Sequence, residues 1–314
     1  MATTKTAKQK NKKNMAGVTK DSLFKKSPAY LYILPWVLGF LMFQLYPFIA
    51  SFVYSFTDFS ILKPMTFVGL NNYIKMFTAD RLFWPSLKAT FLYVLIAVPG
   101  KLIFALFIAL VLNMKLKFIN FFRTVYYLPS ILGGSVAISI LWRFLFSRQG
   151  TVNVLLKTLG LPSADWLGSP NLALGTMGLL VVWQFGSSMV LFLAGLKNIP
   201  TELYEAARVD GAGKTRSFFK ITLPLLSPII FFNLIMQTIN AFKEFNAPYL
   251  ITQGGPLNST YLYGMMLYEN AFSFLKMGYA SAQSWVLFII IMLFTALTFK
   301  SSPYWTFYDD GGDF

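Results

Sequence analysis

Six apolar runs, each about as long as a bilayer is thick, decide what this chain can become. A helix crossing a ~30 Å hydrocarbon core needs about 20 predominantly apolar residues, and within that core every backbone N–H and C=O must be satisfied by protein. Runs of that kind lie near residues 30–54, 88–112, 122–146, 171–196, 223–247 and 278–299. They predict an all-α integral membrane protein with six transmembrane helices. Composition agrees, since 56% of the 314 residues are hydrophobic and 12% are charged, against about a quarter charged in soluble domains. The first run follows lysines as a secretory signal does, but it is longer than a signal's apolar core and lacks a small-x-small cleavage site. It reads as retained.

The net charge of +15 first suggests nucleic acid. The lysines, however, gather ahead of the first run and do not interleave with aromatics on a folded domain, so anionic phospholipid is the matching counter-charge. With the amino terminus in the cytoplasm, seventeen of the 27 Lys and Arg residues fall on the inner side and six on the outer, namely Lys63, Lys75, Arg81, Arg148, Lys157 and Lys276. Basic residues favour the inner side. Both termini and residues 197–222 are therefore expected in the cytoplasm. The chain divides into a disordered basic tail (1–27), a six-span domain (28–300) and a cytoplasmic C-terminal tail (301–314). No internal repeat is evident. Outer loops are expected at 55–87, 147–170 and 248–277, the second lying on the interface or packing over the spans, the third carrying aromatics that read as interface anchors.

Cysteine and histidine are both absent, which removes thiolate nucleophiles, disulfides, zinc sites and any serine–histidine triad. Among the acids, Glu202 and Glu205 mark a helix start, and Asp309, Asp310 and Asp313 lie in a Gly-rich tail. The chain is not expected to be an enzyme. A conduit needs only a polar path through apolar spans.

The polar stretch EAARVDGAGKTRSFFKITLPLLSP, residues 205–228, is wedged between two of those runs. Pro200 suits a first helical position, and Glu202 and Glu205 put negative charge near the positive helix end. Leu203, Ala206, Ala207 and Asp210 share a face on which two small alanines admit another surface. Gly211 and Gly213 break that helix, and residues 215–221 form a second short one before Pro224. The expectation is a helix, glycine turn, helix that docks a partner, although short amphipathic loops between spans are common without any such role. Gly213-Lys214-Thr215 imitates the end of a phosphate-binding loop, but Arg208 stands where that pattern needs glycine and a helix precedes it in place of a strand. Nucleotide binding by this chain is not expected.

On these residues the chain resembles the permease subunits of binding-protein-dependent ABC importers, whose cytoplasmic EAA loop runs EAA, three residues, G, nine residues, I-x-L-P. Here that pattern is Glu205, Ala206, Ala207, Gly211, Ile221, Leu223 and Pro224, with Asp210-Gly211-Ala212 as in sugar-uptake permeases. Phe122, Arg123 and Pro129, the TQGGP of 252–256 and the FSFLKMGYA of 272–280 extend the resemblance. It implies the type I importer permease fold in a bacterial cytoplasmic membrane, with a sugar or oligosaccharide as cargo. It further implies that Glu205, Ala206, Ala207, Asp210 and Gly211 couple the spans to an ATPase. The implied partners are a second permease subunit, with a heterodimer favoured by the sugar-type resemblance, two ATP-binding cassette subunits and an extracytoplasmic solute-binding protein. ATP and Mg would be held by the ATPase subunits, with no cofactor in this chain.

Polar groups within spans are costly and usually face protein or water. The substrate-path candidates are Lys101, Trp183, Gln184, Asn233, Gln237, Asn240, Lys243, Glu244 and Asn246. Asn233, Gln237, Asn240 and Glu244 are spaced four, three and four apart, on one helical stripe suited to a hydrated cavity. The same amides also suit hydrogen bonds between helices, so both readings stand. Trp183 offers a ring face to a sugar. Lys101 pairs with Glu244 or, together with Lys243, faces an acidic oligosaccharide such as a uronate fragment. Two rival functions remain: an ion-coupled secondary transporter, for which Glu244 is the one acid well inside a span, and a membrane scaffold that binds an ATPase without transporting.

Overall fold

The computed structural model describes residues 27–114 and 117–307. These form two compact units, divided after Tyr54. In the first, α1 (Ser27–Phe40) passes through a π turn (Leu41–Leu45) into α2 (Tyr46–Ser55), whose final residue, Ser55, is counted with the second. The Tyr46 N–H reaches back five residues to the Leu41 carbonyl. Pro47, which has no N–H to give to the carbonyl four residues earlier, follows at once and accounts for the changed register.

The second unit contains α3 (Asn71–Thr78), α4 (Phe83–Leu112), α5 (Ile119–Leu132), α6 (Val136–Leu145), α7 (Thr151–Thr158), α8 (Pro170–Trp183), α9 (Gly186–Asn198), α10 (Thr201–Val209), α11 (Lys214–Ser217), α12 (Leu223–Phe242), α13 (Tyr263–Tyr268) and α14 (Met277–Ser301). Helix α4, about 45 Å long at 1.5 Å per residue, is the axis on which α8, α9 and α12 pack. Its Tyr93, Ala97, Ala105 and Ala109 are buried, while Leu95, Ile103 and Phe107 are exposed. A helix apolar on both faces with one face uncovered is suited to hydrocarbon. Four helical stretches are long and apolar enough to cross a membrane alone, and two bent pairs bring the number to six when each pair is one span. β-Pairing among the described residues is limited to isolated bridges at Thr57 with Phe67 and at Ser60 with Lys63.

Three apolar runs depart from the simple expectation. The third is broken between α5 and α6 by 100°, and the fourth between α8 and α9 by 48°. At the first break the glycine pair 133–134 leads to Ser135, whose hydroxyl accepts the Ile138 N–H (3.3 Å) and starts α6 afresh. The two breaks satisfy each other. Ser130 Oγ donates to the Gln184 carbonyl (3.1 Å) and accepts from the Ser187 N–H (2.9 Å), while Gln184 Nε2 donates to the Gly133 carbonyl (2.9 Å). Backbone groups freed by one bend are thus met by the other, as an apolar surrounding requires. The fifth run begins earlier than expected, because helix is continuous from Lys214 to Phe242. The short helix expected at 215–221 is its opening turns, joined through a π turn (Phe218–Thr222) just ahead of Pro224.

The connecting segments are tied by polar side chains. Arg123 Nη2 donates to the Leu112 carbonyl (3.0 Å) and closes the end of α4. Asn72 Nδ2 donates to the Ser55 and Thr57 carbonyls, both at 2.9 Å. The exposed Arg148 donates to the half-buried Asp165 (2.9 Å) and holds that carboxyl below its ordinary pKa. Asn153 is the hub of the second loop: its Nδ2 donates to the Ser147, Arg148 and Ala164 carbonyls, and its Oδ1 accepts from the Ala164 N–H and Trp166 Nε1. Asn153→Ala is expected to loosen residues 147–166 by about 2–3 kcal/mol. Hydrogen exchange of that segment measures the loss, and unchanged protection would exclude the hub role.

The aromatics of the third loop are not surface anchors throughout. Tyr261, Leu262, Tyr263, Met265 and Met266 are buried, with the Tyr263 N–H on Thr90 Oγ1 (2.8 Å) and its hydroxyl on the Gln283 carbonyl (2.9 Å). Burial, reinforced by its hydrogen bond to Glu269, pushes the Tyr261 hydroxyl pKa up. The tails expected at 1–27 and 301–314 lie outside the described residues except for Ser27 and residues 301–307. The latter fold back so that the Phe307 N–H donates to Ser227 Oγ (2.8 Å).

Candidate functional site

Two sites fall on one continuous helix. At its beginning, α10 and a glycine turn form a projecting loop. Pro200 is the extended residue before α10, not its first helical residue, and Glu202 lies in the first turn. The helix closes in a Schellman motif: the Ala212 N–H meets the Ala207 carbonyl (2.8 Å), the Gly211 N–H meets that of Arg208 (3.1 Å), and Gly211 takes φ +74°. None of α10 is buried. Glu205, Ala206, Asp210 and Gly211 are exposed, Ala207 is half-buried, and Val209 is 88% exposed. Small and apolar side chains on an otherwise polar, projecting helix offer a partner a surface to cover. The loop is fixed to the spans from behind, where Tyr204 Oη and Thr222 Oγ1 share a hydrogen bond of 2.8 Å.

Toward the other end of the same helix, a cavity of about 220 Å³ is lined by Tyr93, Val98, Lys101, Val181, Gln184, Gln237, Asn240, Ala241 and Glu244. Of the polar positions named from sequence, Lys101, Gln184, Gln237, Asn240 and Glu244 come together here. Lys101 and Glu244 share the cavity without closing an ion pair: among the described residues, Arg148 with Asp165 is the pair within salt-bridge distance. Glu244 is not part of a helical stripe, because α12 ends at Phe242, and its Oε1 accepts the Ala247 N–H (3.0 Å). Asn233 is buried and donates to the Ile229 carbonyl one turn back (3.0 Å). Trp183 packs at 6.1 Å from Trp142. Lys243 and Asn246 are exposed and line no part of the cavity.

Tyr93 was not among those positions. Its ring is fully buried and its hydroxyl finds no hydrogen-bond partner among the described residues. The signal was available: Tyr93 and Lys101 are eight residues apart in one apolar run, which places both on the same helical face. A cation, a carboxylate, three amides and a phenol around one cleft can exchange hydrogen bonds with a polyhydroxylated ligand, while Val98 and Val181 supply apolar wall.

Compared with known proteins, residues 89–301 match the model of the family described as binding-protein-dependent transport system inner membrane component. The chain is 49% identical to the probable ABC transporter permease YesP of Bacillus subtilis, over 95% of this chain and 96% of that protein. It is 41% identical to the sulfoquinovosyl glycerol transport system permease SmoG of Agrobacterium fabrum, over 86% and 88%. Its fold is similar to a chain of a bacterial alginate ABC transporter crystallised with an alginate pentasaccharide-bound periplasmic protein. The TM-score is 0.78 at 20% identity, covering 90% of this chain and 96% of that one.

Proposed function

We propose that this chain, which belongs to the family of binding-protein-dependent transport system inner membrane components and is a multi-pass ABC transporter permease, carries a sugar or oligosaccharide across a bacterial cytoplasmic membrane. The observation that carries the cargo reading is the polar cavity at the meeting of α4, α8 and α12. Its five hydrogen-bonding or charged groups named from sequence, joined by Tyr93, suit hydroxyl-rich molecules. Relatives named for a sulfonated glycoside and for alginate lend support. Both termini and the α10 loop lie on the cytoplasmic side in this reading. The complete importer adds a second permease, two ATP-binding cassette subunits that hold ATP and Mg, and an extracytoplasmic binding protein that delivers the cargo.

Glu205, Ala206, Ala207, Asp210 and Gly211 meet the ATPase. Nucleotide-driven closure shifts α10, and the Tyr204–Thr222 bond passes that shift to the long helix bearing Gln237 and Asn240. Glu244, engaged with the Ala247 N–H, serves as a local cap, which weakens the ion-coupled alternative. Lys101, lacking an ion-pair partner in the cavity, favours an acidic cargo group. Lys101→Met is accordingly expected to lower ATP-driven uptake of a uronate-bearing oligosaccharide by about tenfold or more relative to its neutral counterpart, the loss of one charge-assisted hydrogen bond. The measurement is uptake into proteoliposomes holding the whole complex. Equal loss for both sugars would remove Lys101 from charge selection, and absence of ATP-driven uptake of any saccharide would remove the cargo assignment.

A further inference from the structure

We infer that the cleft between α10, the start of the Lys214–Phe242 helix and the ends of α4 and α9 binds the phosphate headgroup of an anionic phospholipid. This rests on the orientation proposed above, which puts that end of the spans at the cytoplasmic leaflet. The cleft encloses about 330 Å³. Its floor is apolar, formed by Leu110, Leu196 and Phe218, and its polar lining carries Arg208, Lys214 and Asn113. Among the described residues, no carboxylate lines it.

Four independent features converge on that ligand. Neither cation has an ion-pair partner among the described residues, since the one ion pair there is Arg148 with Asp165. The acids of α10, Glu202 and Glu205, do not line the cleft. The Lys214–Phe242 helix opens at the cleft behind Gly213 with no side-chain cap, so its first amides present the positive end of a long helix to the same space. Finally, Leu110 and Leu196 stand in the last turns of α4 and α9, where apolar helices leave the hydrocarbon. An apolar floor at that depth beneath a cationic rim fits a molecule with a phosphate on an acyl stem better than a freely soluble anion. A lipid seated there sets the spacing between α10 and the span ends, so it conditions how far the projecting loop stands from the bilayer.

The test uses the assembled importer in nanodiscs of phosphatidylcholine alone or mixed equally with phosphatidylglycerol. Native mass spectrometry counts lipid retained after delipidation. Phosphatidylglycerol is expected to remain on the wild-type complex. R208Q/K214Q should weaken retention by about 25-fold, or about fivefold for each cation near an anionic headgroup. R208K/K214R, which keeps both charges, should restore it, and K157Q, on the opposite side of the membrane, should leave it unchanged. Both altered positions are exposed, so the complex should assemble, and copurified ATPase subunit verifies this. Equal retention by R208Q/K214Q and wild type overturns the inference. So does protection of the cleft by inorganic phosphate in phosphatidylcholine alone, which would assign it to a soluble phosphate. Sugar uptake persisting without lipid retention removes this inference and spares the transport reading, whereas retention without uptake in any lipid does the reverse.

Discussion

Stimulation of ATP hydrolysis by the loaded binding protein is expected to fall about thirtyfold or more when Glu205 becomes Gln and Gly211 becomes Val together. Glu205 is exposed, and among the described residues it takes part in no ion pair. Its charge is therefore free for a partner, and removing one member of a desolvated charge pair at an interface costs about 2–5 kcal/mol. Gly211 acts through geometry. At φ +74° a β-branched side chain is strained by about 1–2 kcal/mol, and opening that turn releases the carbonyls of Ala207 and Arg208 from the Schellman motif. The last turn of α10 then frays, and Ala206 and Ala207 no longer present a fixed surface. Because α10 has no buried residue, the spans themselves should melt at the wild-type temperature. Reconstituted complexes assayed with and without binding protein give the answer. Wild-type stimulation in the double variant would mean that the loop does not couple.

Gly186→Val is expected to destabilise the permease by about 3 kcal/mol or more, since overpacking into a fixed backbone is among the costlier single changes. A Cβ at Gly186 would lie 2.7 Å from the Tyr126 carbonyl oxygen, 2.8 Å from the Tyr127 Cα and 2.8 Å from Ser130 Oγ. The first two belong to backbone and cannot rotate away. The third is the hydroxyl that serves both the Gln184 carbonyl and the Ser187 N–H. Displacing it leaves two backbone groups unsatisfied where water is scarce. Thermal unfolding in detergent should show a fall of about 10 °C, taking 2–4 °C per kcal/mol for a chain of this size. Gly175→Ala is the control: it sits in α8 with nothing within 4 Å of its Cβ, and should shift the midpoint little. Equal melting of the two variants would show that the crossing of α5 and α9 is not close.

Span existence was legible because hydrocarbon imposes one requirement, length of apolar run, that sequence displays directly. The breaks were not. Gly133-Gly134 stood in plain view, but glycines are tolerated in membrane helices, and what makes these two a break is the reciprocal bonding of Ser130, Gln184 and Ser187 across spans 50-odd residues apart. The glycine turn of the loop was legible from Gly211 and Gly213, while the merging of residues 214–222 into the fifth span was hidden by Pro224, which bends the register into a π turn without ending the helix. In the cavity, Gln237 and Asn240 followed from spacing. Asn233 did not, because one more turn along α12 its amide folds back onto the Ile229 carbonyl. Trp183, one residue from Gln184, belongs to a different aromatic cluster, because the chain turns between them.

The helix from Lys214 to Phe242 has 29 residues and so extends roughly 43 Å. Gln237 and Asn240 ride on its last two turns, and Thr222 near its beginning. A rod of that length pivoting at its middle is a seesaw with equal arms: a tilt of three degrees moves each tip by about 1 Å, in opposite senses. Thr222, six residues before the middle, and Asn240, twelve residues beyond it, then move in opposite senses by about 0.5 and 1 Å, so the cavity end is displaced about twice as far as the driven end. Any larger widening of the passage must then come from several such rods tilting in concert.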